Sequence, residues 1–362
     1  MRVLHTESST GWGGQENRTL QEAIQMRLRG VEVFFACRRG AKLGQRARAL
    51  GFPVAELPMK NSFDPVSIVG LARIFRRHRV DIANTHSGRD TLLAGVAARL
   101  IPHRPRLVRT RHLILPITSK ATYSVLPDHV VCVSRAVQDY LASAGVPVAM
   151  LSTIPTGVDT DRFDPAAVEP ILRAELNLPA DAPLIGTVAI LRMKKGYQDL
   201  IAAIPRVLAA VPAAHFVFAG DGPQRGNIER ALADANLNAR VHLLGLRSDI
   251  PRVLKSLDVF VLPTHQEALG TSYIEAQAMG VPVIGTRVGG VPDTLREGET
   301  GLLVPAHEPS ALADAIIALA SDREQRQRMS KAGRSWVLEE YTVQRMAERM
   351  HALYERLLAA RR

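Results

Sequence analysis

Short β-branched runs alternate with helical patterns along almost the whole chain, and that alternation admits one class of fold: parallel sheets with helices packed on them, an α/β protein. In the first half the strand candidates are Arg2–Thr6, Val31–Ala36, Asp81–Thr85, Leu107–Thr110 and His129–Val133. In the second half they are Leu184–Ala189, His215–Ala219, Val241–Leu244, Val259–Leu262, Pro282–Thr286 and Gly301–Val304. Helical patterns fill the gaps, as at Glu16–Arg29, Arg89–Leu100, Gly196–Ala210 and Ser310–Leu319. The two halves read as two versions of one doubly wound, Rossmann-like unit, and a chain of 362 residues is long enough for two cores. The turn-rich segment Ile154-Pro-Thr-Gly-Val-Asp-Thr-Asp-Arg-Phe-Asp-Pro165 marks the boundary, giving domains 1–160 and 161–342. A last helical stretch, Val343 to Ala359, lies beyond the final strand.

Charge is distributed unevenly. The whole net excess of +11 falls in residues 1–160, where 22 Lys and Arg face 11 Asp and Glu. One dense stretch is Leu71 to Arg79; another runs through Arg99, Arg104, Arg106, Arg109 and Arg111. A basic half attracts an anionic partner, such as a phospholipid surface, a phosphorylated lipid-linked acceptor or nucleic acid. No helix-turn-helix, zinc finger or aromatic RNA-binding signature accompanies the pI of about 10.1. Aromatics are only 5% of the chain, too few for base stacking, so no nucleic-acid partner is expected. Two cysteines, Cys37 and Cys132, make no disulfide framework. The first residues lack the apolar core of a signal peptide, and no uncharged apolar run reaches the roughly 18–20 residues that span a bilayer. The expected location is the cytoplasm, with peripheral attachment to the inner face of the cytoplasmic membrane through the basic helix near Arg73–Arg79.

The densest chemistry lies in Glu267-Ala-Leu-Gly-Thr-Ser-Tyr-Ile-Glu275, after the apolar run Val259–Leu262. Two carboxylates flank a small-residue turn that leads into a helix closed by Gly280. A helix N-terminus offers unpaired amides and a positive dipole end, which suit a phosphate. Amides near Gly270, Thr271 and Ser272 would cradle a diphosphate, Glu275 would accept from a ribose diol, and Glu267 would meet the sugar beyond. Upstream, Leu191-Arg-Met-Lys-Lys-Gly196 follows a strand and places Arg192 and Lys195 where a leaving phosphate gathers charge.

With Gly280-Val-Pro282 and Gly289-Gly290 behind it, the Glu267–Glu275 segment resembles the E-x7-E signature of glycosyltransferase family 4, and the resemblance runs over nearly the whole chain. It implies a retaining enzyme of the GT-B fold: two facing nucleotide-fold domains, a cleft between them, and a C-terminal helix (about 343–362) crossing back to the first, acceptor-side domain. It also implies a metal-independent hexosyltransferase with no cofactor, whose donor is a nucleotide-diphosphate sugar. Glu267, Lys195, Arg192 and His86 become the catalytic set. Gly13 and Gly14, in Gly11-Trp-Gly-Gly14, match a first-strand loop that approaches the donor diphosphate. His86 ends Asp81-Ile-Ala-Asn-Thr-His86, matching a strand whose terminal His lies beside the donor sugar. His112, with Arg109 and Arg111, matches a second strand end on the acceptor side. Arg247, in Gly245-Leu-Arg247, is placed near the donor base. The chain departs from the family at Ile190, which stands where an Arg is usual, at Arg192, displaced by two residues, and at Asp293, which replaces a Glu.

The expected donor is a UDP-sugar and the expected acceptor a hydroxyl of a glycan or glycolipid in lipopolysaccharide or exopolysaccharide synthesis. The alternatives are a GDP-mannose-dependent mannosyltransferase and another GT-B enzyme, such as a nucleotide-sugar epimerase or a phosphorylase. No P-loop, C-x-x-C, H-E-x-x-H or G-x-S-x-G motif occurs. Asp159-Thr-Asp161, a D-x-D pair in the linker, is read as coincidence, so no metal ligands are assigned.

Overall fold

The computed structural model describes residues 1–360 and divides into two compact units, Met1–Gly157 with Val343 onward, and Val158–Thr342. The first unit is built on seven parallel strands: β1 (Arg2–Glu7), β2 (Glu32–Arg38), β3 (Val54–Leu57), β4 (Ile82–Thr85), β5 (Arg106–Arg111), β6 (His129–Cys132) and β7 (Leu151–Thr153). They lie in the order β3-β2-β1-β4-β5-β6-β7. The second carries six: β8 (Leu184–Val188), β9 (His215–Ala219), β10 (Val241–Gly245), β11 (Val259–Leu262), β12 (Val283–Thr286) and β13 (Gly301–Val304), in the order β10-β9-β8-β11-β12-β13. Each sheet is doubly wound. Its order reverses once, between β1 and β4 in the first unit and between β8 and β11 in the second. In such sheets the loops beyond the strand carboxyl ends at the reversal diverge and leave room for a ligand.

Strands buried on both faces read as apolar runs, and those were visible in the sequence. The edge strands β3 and β7 were not. Val54, Ala55, Ser152 and Thr153 are half-buried and mixed in polarity, because an edge covered on one side needs no continuous apolar run. The helix expected at Ile274–Met279 starts earlier, at Thr271, because its first turn is built from Thr271 and Ser272, which carry no apolar signal.

Helix Val343–Ala359 completes the first unit. Met346, Met350, Leu353 and Tyr354 bury against Leu20, Ala23 and Met26 of helix Gly14–Leu28. Tyr354 ties this packing to a buried polar network. Its hydroxyl donates to Glu22 Oε1 at 2.7 Å and accepts from Asn84 Nδ2 at 2.9 Å, while Thr110 Oγ1 donates to Asn84 Oδ1 at 3.0 Å. Arg18, 1% exposed, donates to the Ile154 carbonyl at 2.9 Å. Burying such groups is tolerable only while each has its partner. Tyr354→Phe leaves the Glu22 carboxylate without its hydroxyl and is expected to destabilise the first unit by about 1–3 kcal/mol in urea unfolding; an unchanged midpoint would show that the network contributes nothing.

Candidate active site

In the second unit the loops after β8 and β11 meet at the point where the strand order reverses. Gly196 adopts φ +69°, and a Cβ there would sit 1.8 Å from the Pro263 carbonyl oxygen. The Lys194 carbonyl accepts from the His265 amide at 2.7 Å and from Thr264 Oγ1 at 2.8 Å. These contacts set Lys195 opposite Glu267, and the ammonium donates to Glu267 Oε2 in an ion pair. Glu267 is held from behind as well. Its carbonyl accepts from the Gly290 amide at 3.1 Å, and a Cβ on Gly289 would lie 1.9 Å from that oxygen. Two residues singled out separately, 72 positions apart, thus form one pair.

Beyond Glu267 the chain turns through Gly270, in left-handed conformation at φ +96°, into helix Thr271–Ala278, whose N-terminus no side chain caps. Its leading amides, at Thr271 and Ser272, have no side-chain cap. Glu275 follows one turn in. Its half-buried carboxylate has no hydrogen-bond partner among the described residues, and burial pushes its pKa up to about 7, against the opposing pull of Arg162. Arg192 is exposed and likewise has no side-chain partner among the described residues. It does not join the Lys195–Glu267 pair.

The Arg247 guanidinium is gripped twice, by Asp249 at 2.8 and 2.7 Å and by Glu175 at 2.6 and 3.1 Å, so its charge is met within the protein. It braces the loop after β10. Its neighbour Leu246, 85% exposed, is the side chain that loop presents.

In the first unit Gly13 and Gly14 open helix Gly14–Leu28 and, with Glu7, Ser8, Arg38 and Arg89, line a cavity of about 870 Å³. His86 is buried and sits in a chain of imidazoles: its Nε2 lies 3.2 Å from His5 Nδ1, and its Nδ1 lies 3.1 Å from His112 Nε2. Burial, with the neighbouring imidazoles and Arg18, holds His86 well below the usual histidine range, and burial likewise lowers His5 and His112. The chain is therefore neutral. Arg109 is buried, lies 3.6 Å over the Tyr123 ring and donates to the Thr122 carbonyl, so it fastens residues 122–123. Arg111 donates to the Leu115 carbonyl at 2.5 Å.

Glu7 was not anticipated. It ends β1, lines the cavity, and accepts from the Ser9 amide and Gln15 Nε2, both at 2.7 Å. Burial and the nearby Asp90 carboxylate raise its pKa. Its place as the last residue of the first strand was the one available signal.

Because the Glu275 value in the folded protein exceeds the ordinary 4.5, its protonated form contributes stability at low pH that is lost as pH rises through about 7. Glu275→Gln removes that titration. The variant is expected to match the parent's melting temperature at about pH 4 and to exceed it by a margin that widens up to about pH 7 and then levels; a gap independent of pH would rule out the raised carboxyl.

Comparison with known proteins identifies the family and the fold. The family described as "Glycosyl transferases group 1" matches residues 168–336, and "Glycosyltransferase Family 4" matches residues 12–162. The chain is 30% identical over 326 residues, 84% of its length and 83% of the relative's, to a GDP-mannose-dependent alpha-(1-6)-phosphatidylinositol monomannoside mannosyltransferase of Mycobacterium tuberculosis. It is also 30% identical over 314 residues, 80% of its length and 81% of the relative's, to a 2-deoxystreptamine glucosyltransferase of Streptomyces kanamyceticus. Among solved structures, a glycosyltransferase from Rickettsia africae superposes with a TM-score of 0.89 at 22% identity, over 99% of this chain and 98% of that one. Anabaena HepE in complex with UDP-glucose superposes with a TM-score of 0.83 at 20% identity, over 98% and 99%. Two parallel-sheet α/β units with these relatives make the chain a member of the family 4 glycosyltransferases, with the GT-B fold.

Proposed function

We propose that this glycosyltransferase moves a hexose, with retention of configuration, from a nucleotide-diphosphate sugar to a hydroxyl of a glycan or glycolipid acceptor. The observation that carries the reading is the grouping, beyond the carboxyl ends of the central strands of one sheet, of the Lys195–Glu267 pair, an uncapped helix N-terminus at Gly270–Ser272 and the partnerless carboxylate of Glu275. The amides would hold the diphosphate and Glu275 the ribose diol. As the bond from the anomeric carbon to phosphate oxygen breaks, negative charge grows on the phosphate, and Lys195, with Arg192 reaching in from solvent, would meet it. Glu267 would accept from the sugar hydroxyls. The acceptor oxygen bonds to the anomeric carbon on the face the phosphate leaves, and its proton passes to a phosphate oxygen. Gly13, Gly14 and His86 keep their assignments to the donor within this proposal, and His112 its assignment to the acceptor side.

The sequence favoured a UDP-sugar. A second reading, GDP-mannose, is favoured by the name of the Mycobacterium tuberculosis relative, whereas the Streptomyces relative is a glucosyltransferase. A thermal-shift panel of UDP, GDP, ADP and their sugars distinguishes these; no shift with any of them would sink the proposal.

Membrane attachment rests on helix Pro65–His78. Phe63, Val66 and Val69 are exposed at its start, and Arg73, Arg76, Arg77 and Arg79 have no side-chain partner among the described residues. The second basic stretch differs: Arg104 and Arg106 are both spent on Asp128. No described helix is long and apolar enough to cross a membrane.

Removing one charge-assisted contact costs about 1.5–3 kcal/mol, roughly 10- to 200-fold. Glu275→Ala is expected to raise the donor KM by that factor, whereas Lys195→Ala depresses kcat, because the charge it meets develops during reaction. EDTA is expected to leave turnover largely unchanged. Steady-state kinetics test all three, and undiminished turnover in both variants refutes the site. Sedimentation with phosphatidylglycerol vesicles is expected to capture the protein at low salt and release it at high salt, with Val66→Ser weakening capture; protein left in the supernatant at low salt removes the attachment.

A further inference from the structure

Behind the Lys195–Glu267 pair, three side chains from three loops converge. Asp199 stands in the first turn of helix Tyr197–Ala210, His265 on the loop after β11, and His307 on the loop after β13. His265 Nε2 lies 2.7 Å from Asp199 Oδ2, and the rings of His265 and His307 face each other with centroids 3.8 Å apart. One ligand-type atom from each residue falls within 4.8 Å of the other two, and among the described residues this is the one group of three or more His, Cys, Asp and Glu side chains so placed.

We propose that Asp199, His265 and His307 bind a late first-row divalent ion of the zinc type. Two imidazoles and one carboxylate are the donor set such ions prefer, whereas magnesium and calcium take oxygen ligands. Ligands at about 2.0–2.1 Å from a tetrahedral ion stand about 3.3 Å apart. The 2.7 Å contact between His265 and Asp199 therefore needs to open only slightly, and a fourth position stays free for water. His307 is exposed, so an ion reaches the site from solvent. Nothing in this grouping overlaps the residues assigned to the donor, although it shares their backbone. Asp199 lies four residues beyond Lys195 and His265 two residues before Glu267. A bound ion would staple the loop after β13 to the two loops that carry that pair. It would act as a stiffener of the loops and not as a participant in transfer.

The test needs no sugar donor and so stands apart from the proposed reaction. His307 has φ +61°, a left-handed conformation that asparagine adopts readily, so His307→Asn removes a ligand and keeps the backbone. Asp199→Asn removes the carboxylate while retaining a group that can hydrogen-bond His265. Metal-stripped protein is titrated with Zn²⁺ or Mg²⁺ and followed by calorimetry and thermal melting. Wild type is expected to take up a single Zn²⁺ per chain, with a melting-temperature rise of about 3 °C or more at saturation, and to ignore Mg²⁺. Both variants are expected to lose the shift. Absence of Zn²⁺ uptake by wild type overturns the proposal, as does the same uptake in either variant, which would place the ion elsewhere.

Discussion

The second unit depends on backbone meeting backbone where its sheet reverses direction. Gly196 against Pro263 and Gly289 against Glu267 leave no room for a side chain, since a Cβ at either would stand under 2 Å from a carbonyl oxygen. Through these contacts the loops after β8, β11 and β12 form one rigid edge. These backbone contacts hold a lysine and a glutamate carried on different loops opposite each other. Fixed geometry of this kind lets charged groups stabilise a transition state without reorganising during the reaction.

Electrostatics in this unit run against stability. Glu275 is a half-buried carboxyl with its pKa near 7 and no hydrogen-bond partner among the described residues, so at neutral pH it costs the fold something. A protein under pressure for stability alone would carry an amide or an apolar residue there. Groups held in an unfavourable state are common where a ligand completes them. In the first unit Glu22, Asn84, Thr110 and Tyr354 are buried and hydrogen-bond one another, with Glu22 Oε2 left without a partner among the described residues.

Legibility in the sequence mostly followed burial, although the half-buried edge strands β10 and β13 were also read. Central strands such as Val259–Leu262 and His215–Ala219 are buried on both faces and stood out as apolar runs. The edge strands β3 and β7, half in solvent, did not. At the site, Glu267, Lys195 and Glu275 were visible because their types and spacing carry chemistry. That Lys195 and Glu267 pair was not visible, because no local pattern links residues 72 positions apart. Nor was it visible that Arg247 and Arg109 have partners within the protein, in Glu175 with Asp249 and in Tyr123. The Asp199, His265 and His307 group was silent in sequence, since its three members are scattered over more than a hundred residues.

The helix Val343–Ala359 supplies Met346, Met350, Leu353 and Tyr354 to a core whose other buried residues come from positions 3–154. Residues 158–342, by contrast, contain all the strands of their own sheet. On a ribosome, then, the unit encoded first is finished last. Its sheet emerges early and waits, with Leu20, Ala23 and Met26 uncovered, while the second unit closes. Completion of the amino-terminal unit waits for residues 343–359 to be made, and until then its exposed apolar face is a place for a chaperone to hold.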